Sequence, residues 1–95
     1  MIHPSAFVDP SAEIGSDVTI GPGVYIGPNV TIGDDCVFHH HSSVVCNTRI
    51  GQRCVVHPGA VLGGDPQDKK WNGEETWAEI GSDNLFREHC TINRG

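Results

Sequence analysis

IGPGVYIGPNVTIGDD, residues 20–35, places the pair Ile-Gly at 20–21, 26–27 and 32–33. A buried helical face recurs near 3.6 residues and a half-buried strand near 2, so neither period alone explains a spacing of six. Six is, however, a multiple of two. A strand can carry the repeat if the chain turns a corner within every unit.

The pattern extends in both directions. In steps of six from Ile2, the residues are Ile2, Val8, Ile14, Ile20, Ile26, Ile32, Phe38, Val44, Ile50, Val56 and Leu62. All are apolar; at 37% apolar content, chance gives such a run in roughly one chain in ten thousand. A second column lies two residues earlier: Ala6, Ala12, Val18, Val24, Val30, Cys36, Ser42, Thr48, Cys54 and Ala60, all small or β-branched. Glycine follows the aliphatic residue at positions 15, 21, 27, 33, 51 and 81. Two inward columns leave the remaining positions to strand edges and to corners, where Gly, Asn, Asp and Pro tolerate turn dihedrals. Short strands joined by corners wind into a solenoid whose coils hydrogen-bond to one another at about 4.8 Å. Hexapeptide repeats of this kind are a parallel β-helix signature. On this reading Ile fills a prism, Gly makes the bend, and no helix of useful length is expected.

The chain has 95 residues, enough for one domain spanning 1–95 and a small core. Its twelve glycines and six prolines are spread along it, as frequent turns require. A net charge of −6 argues against non-specific nucleic-acid binding. Residues 1–48 contain no Lys or Arg, so an anionic ligand is expected toward the C-terminal half, beside Arg49, Arg53, Lys69, Lys70, Arg87 and Arg94. No apolar run is long enough to span a membrane, and MIHPSAFVDP is not a signal peptide, so a cytoplasmic location is expected. Cys36, Cys46, Cys54 and Cys90 show no zinc-ligand spacing and read as free thiols.

The repeat is interrupted after Leu62. Residues 63–79, GGDPQDKKWNGEETWAE, are polar and hold both tryptophans. The columns resume at Ile80, Phe86 and Ile92, with Asn84 and Cys90 in the small column. A polar insertion between intact stretches must loop out from the solenoid. Trp71 and Trp77 are expected to pin it against a neighbouring surface.

The hexapeptide columns resemble those of the hexapeptide-repeat acyltransferases, which implies an all-β, left-handed parallel β-helix with 18 residues per coil and one extruded loop. The left hand comes from the resemblance, being an exception to the usual crossover rule. A sharper resemblance lies in Gln67, Asp68, Lys70, Trp71, Gly73 and Glu74, followed by Asn84, Phe86, Arg87, Glu88, Thr91, Ile92, Asn93, Arg94 and Gly95. These are similar to the Q-D-x-K-aromatic-x-G-E loop and N-x-I-R-E-x-x-T-I-(H/N)-R-G segment of the UDP-N-acetylglucosamine O-acyltransferase family. Trp71 stands where Tyr is usual, and Phe86 where Ile is usual.

That resemblance implies transfer of a (3R)-hydroxyacyl group from acyl carrier protein to the 3-hydroxyl of UDP-N-acetylglucosamine, in lipid A biosynthesis, by a homotrimer with clefts between subunits. It implies that Gln67, Asp68, Lys70 and Asn93 bind substrate. A carboxylate accepts hydrogen bonds from sugar hydroxyls, and an ammonium meets phosphate or carbonyl oxygen. The attacking hydroxyl also needs a general base and the oxyanion a donor. The family's catalytic histidine and oxyanion donor lie beyond the residues matched here. No catalytic residue is therefore assigned, the chain reads as the N-terminal part of a longer architecture, and it is expected to be inactive alone.

His39 and His57 should stack on adjacent coils, with His3 two coils below His39. Together with His40, His41 and His89 they read as a solvent-facing or interface polar row. A metal-binding reading, in the manner of the γ-class carbonic anhydrases, finds no convincing set of three ligands; neither metal nor cofactor is expected. Two further alternatives stay open: an acyltransferase for another nucleotide sugar, which the Q-D-x-K loop disfavours, and a non-catalytic trimeric scaffold or binding module.

Overall fold

A computed structural model describes residues 1–64, 77–88 and 90–93. Its regular elements are short strands, with no helix among the described residues. In chain order they are β1 (Phe7–Val8), β2 (Glu13–Ile14), β3 (Thr19–Ile20), β4 (Tyr25–Ile26), β5 (Val30–Ile32), β6 (Val37–Phe38) and β7 (Ser43–Val44). Then follow β8 (Thr48–Ile50), β9 (Val55–Val56), β10 (Val61–Gly64), β11 (Ala78–Ile80), β12 (Leu85–Phe86) and β13 (Thr91–Asn93).

Every third strand joins the same sheet, and every pairing is parallel. Sheet A is β3-β6-β9-β12, sheet B is β1-β4-β7-β10-β13 and sheet C is β2-β5-β8-β11. Three sheets visited in rotation by one chain make a triangular prism, the parallel β-helix expected from the columns, with the left hand expected from the resemblance. Both columns point inward. Ile20, Ile26, Ile32, Phe38, Val44, Val56 and Leu62 are at most 2% exposed, and Val24, Val30, Cys36, Cys54 and Ala60 are as deeply buried. The register stacks like on like, Ile20 on Phe38 and Phe38 on Val56.

Buried polar groups are satisfied locally. Ser42 Oγ donates to the His39 carbonyl and Thr48 Oγ1 to the Cys46 carbonyl, both at 2.8 Å. The four cysteines are free thiols. Cys36 and Cys54 donate to the carbonyls of Gly51 (3.1 Å) and Gly81 (3.2 Å) on the next coil. Burial pushes the Cys36 thiol pKa up.

The bend does not lie at the glycines that follow Ile. Left-handed φ angles occur at Asp17, Gly23, Asn29, Asp35, His41, Asn47, Arg53 and Gly59, each three residues after the aliphatic column. The post-Ile glycines have ordinary φ and are required instead by close stacking of coils. A Cβ on Gly27 would overlap the Val45 carbonyl, and one on Gly33 would lie 2.7 Å from the Gly51 carbonyl carbon. Glycine therefore sets the coil-to-coil approach, and the Asp/Asn/Gly column makes the corner.

The insertion keeps the phase of the repeat. Strand pairing is offset by 18 residues where Ile32 lies opposite Ile50, and by 30 where Ile50 lies opposite Ile80. The excess of 12 is two complete hexads, so the inward columns resume without a slip. Strand β10 runs to Gly64 and β11 begins at Ala78, which is 7% exposed and continues the small column. Both ends of the range 63–79 are thus strand rather than loop.

Candidate functional site

The inserted segment leaves from the corner between sheets B and C. On the preceding coils this corner is a polar ladder. Asp9 Oδ1 accepts from the backbone N–H (2.9 Å) and hydroxyl (2.8 Å) of Ser11. The Ser11 hydroxyl accepts from Asn29 N–H (3.0 Å), and Asn29 Nδ2 donates to Asn47 Oδ1 (3.2 Å). The backbone bond from Ser11, supported by its hydroxyl, holds the Asp9 carboxyl below its ordinary pKa. One coil further on, the corner opens: Gly63 adopts φ 70°, where a Cβ would overlap the Thr48 hydroxyl.

Asn93 belongs to this root. The β10–β13 register shifts after Leu62↔Ile92, so that Asn93 pairs with Gly64, the last residue of β10. Residues separated by the whole insertion thereby become neighbours. Gln67, Asp68 and Lys70 lie outside the described residues, as do Trp71 and His89.

The returning chain is held on sheet C. Ala78 N–H donates to the Asn47 carbonyl at 3.0 Å. Glu79 lies opposite Arg49 in the β8–β11 register, and Arg49 Nη1 donates to Glu79 Oε1 at 2.9 Å. The same guanidinium lies over the Trp77 ring, 4.5 Å from its centroid. Trp77 thus lies against the solenoid, while the rest of the loop that it and Trp71 were expected to pin lies outside the described residues. Beside it, Arg49, Ile50, Gly51, Glu79, Ile80 and Gly81 line an open groove of about 480 Å³. Arg49 and Glu79 carry no motif, and their apposition is visible only once the 30-residue offset is known.

The histidines occupy a different edge, the corner between sheets A and B. The His39 and His57 rings stack at 5.3 Å and 20°, as their spacing predicted. His57 Nδ1 is 3.4 Å from Glu88 Oε1. The His40 and His41 rings meet edge-on at 5.5 Å, and His3 Nδ1 shares a hydrogen bond with the Ser5 hydroxyl. Among the described residues, no group of three or more His, Cys, Asp or Glu is arranged to hold a metal ion. At the third edge, Arg53 forms a two-pronged bond to Asp83 (2.6 and 3.0 Å). Arg49 and Arg53 are therefore both engaged by acids.

A family profile described as "GMPPB C-terminal domain" matches residues 2–95. An acyl-[acyl-carrier-protein]–UDP-N-acetylglucosamine O-acyltransferase of Xanthomonas euvesicatoria pv. vesicatoria is 45% identical over 95 residues, all of this chain and 36% of that protein. The solved structure of LpxA, a UDP-N-acetylglucosamine acyltransferase from Bacteroides fragilis, superposes with a TM-score of 0.98 at 49% identity, covering 100% of this chain and 37% of that one. LpxA from Acinetobacter baumannii gives a TM-score of 0.97 at 53% identity, with coverage of 99% and 36%. The chain thus spans little more than a third of the length of these relatives. No helix among the described residues is long and apolar enough to cross a membrane.

Proposed function

The chain belongs to the GMPPB C-terminal domain family and, within that scaffold, with the UDP-N-acetylglucosamine O-acyltransferases; on this premise we propose that it is the substrate-loop portion of such an enzyme. The reaction moves a hydroxyacyl group from acyl carrier protein to the 3-hydroxyl of UDP-N-acetylglucosamine, in the cytoplasm, on a homotrimer. Gln67 and Asp68 hydrogen-bond sugar hydroxyls or amide, Lys70 meets phosphate, and Asn93 completes the set. No residue of this chain is assigned as the general base. The observation that carries the reading is the Asn93–Gly64 pairing: it sets a polar residue of the second matched segment at the root of the first, although 29 residues separate them.

Titration of UDP-N-acetylglucosamine into the chain, followed calorimetrically, tests this. Binding is expected, weakened about tenfold or more by Asp68→Ala or Lys70→Ala as charge-assisted hydrogen bonds are lost. Absence of binding, or binding indifferent to both substitutions, rejects the assignment. The second reading, a non-catalytic self-associating scaffold, is favoured by the uncharged outward rows of sheets A and B: Val37, Val55 and Leu85 on one, and Phe7, Tyr25 and Val61 on the other.

A further inference from the structure

We infer that Arg49 is a positioning residue: it fixes the point at which the chain returns to the prism after the insertion, and through that point it governs the binding loop. The inference rests on the proposed role of Gln67, Asp68 and Lys70 only in its second half. Arg49 stands on β8, the strand with which the returning β11 pairs, and touches both residues that flank the buried Ala78. Its guanidinium lies over Trp77 on one side, at 4.5 Å, and bonds Glu79 on the other, at 2.9 Å. Ala78 itself is tied to the Asn47 carbonyl. The first three residues after the insertion are thus caught in consecutive contacts with Asn47–Arg49.

The chemistry explains why arginine suits this position. A planar guanidinium can stack on an indole and donate in its own plane to a carboxylate at the same time; an ammonium is a point charge and has no such plane. Both partners of the ion pair are more than half exposed, so the pair is of small worth for global stability. Its consequence is local. A parallel strand that re-enters after twelve extra residues has no short turn to set its register, and a slip of one residue would turn Ala78 and Ile80 outward.

Arg53–Asp83 supplies an internal control. It joins the same two coils by a similar ion pair, is similarly exposed, and lies on another edge with no aromatic partner among the described residues. Arg49→Ala and Arg53→Ala are compared by the rate of tryptic cleavage after Lys69 and Lys70, by Trp fluorescence, by Tm, and by Kd for UDP-N-acetylglucosamine. The expected result for Arg49→Ala is an increase of about fivefold or more in cleavage rate, since proteolysis follows local opening, a red-shifted emission and a several-fold weaker Kd, with Tm nearly unchanged. Arg53→Ala is expected to change none of the local readouts. Arg49→Lys keeps the charge but loses the stacked plane and should fall between, and it decides the matter on the same readouts if Arg49→Ala does not fold. Wild-type cleavage and emission in Arg49→Ala, or equal effects from Arg53→Ala, overturn the inference. If the wild type binds no UDP-N-acetylglucosamine, the functional reading fails while cleavage and fluorescence still decide the role of Arg49.

Discussion

His41 holds φ at 58° in a corner column otherwise occupied mostly by Asp, Asn and Gly. A left-handed backbone costs an ordinary L-residue roughly 1–2 kcal/mol, and Asn tolerates it best after Gly. His41→Asn, matching Asn29 and Asn47 at equivalent corners, should therefore stabilise the fold by about 0.5–1 kcal/mol in urea denaturation. The opposite sign is expected at Gly27, whose φ is ordinary but whose Cβ would meet the Val45 carbonyl. Gly27→Ala should destabilise by about 2–3 kcal/mol, because backbone of the next coil cannot step aside. These two positions also show what was legible at this scale. Glycine after Ile was visible as a pattern, but a pattern does not say whether Gly serves dihedral or distance. The true corner column was masked by His41 and Arg53, two residues whose types do not announce a left-handed backbone.

Elements two or three residues long have little intrinsic stability, so each depends on what it stacks against. Phe38 on β6 is the largest fully buried side chain among the described residues and lies between Ile20 and Val56. Phe38→Ala should cost about 3–5 kcal/mol, measured by chemical denaturation, because neighbouring coils are held at fixed spacing and cannot collapse into the cavity. The columns that predicted this burial come directly from side-chain identity and were fully readable. The element boundaries at the insertion were not. Gly63 and Gly64 read as loop by composition, yet β10 includes them; Ala78 reads as part of a polar run, yet it is buried. The partnership of Asn93 with Gly64 was equally hidden, since it depends on a register shift. Electrostatics at the neighbouring edge can be checked separately. Hydrogen bonding from Arg53 holds the Asp83 carboxyl below its ordinary pKa. A depressed carboxylate contributes fully above its unfolded value of 3.8, and that contribution is lost as pH falls through the lower folded value. The difference in urea midpoint between wild type and Asp83→Asn should therefore be present at pH 7, shrink as pH falls below 3.8 through the lower folded value, and be smaller in high salt.

Across the whole molecule, the three faces of the prism differ in chemistry in a way that six-residue periodicity alone does not convey. Outward positions on sheet C are Glu13, Thr31, Arg49 and Glu79; on sheet A they are Thr19, Val37, Val55 and Leu85. Sheet B presents Phe7 and Tyr25, stacked at 5.2 Å and 49% and 41% exposed, followed by Ser43, Val61 and Thr91. In a chain of net charge −6, copies approach with least repulsion through surfaces that lack charge, and these rows on A and B provide them. Leu85, at 54% exposure, is the most exposed apolar side chain within the strands of sheet A and the natural place to interrupt such a contact. If the proposed trimer forms through this face, Leu85→Glu should shift the chain to monomer at micromolar concentration in sedimentation equilibrium, with an unchanged far-UV spectrum. Thr31→Glu, an equal charge placed on sheet C, should leave the association state as it is. A wild-type monomer would remove the trimer from the proposed function. A trimer that survives Leu85→Glu would instead move its interface off sheet A, leaving Phe7 and Tyr25 on sheet B as the next positions to charge.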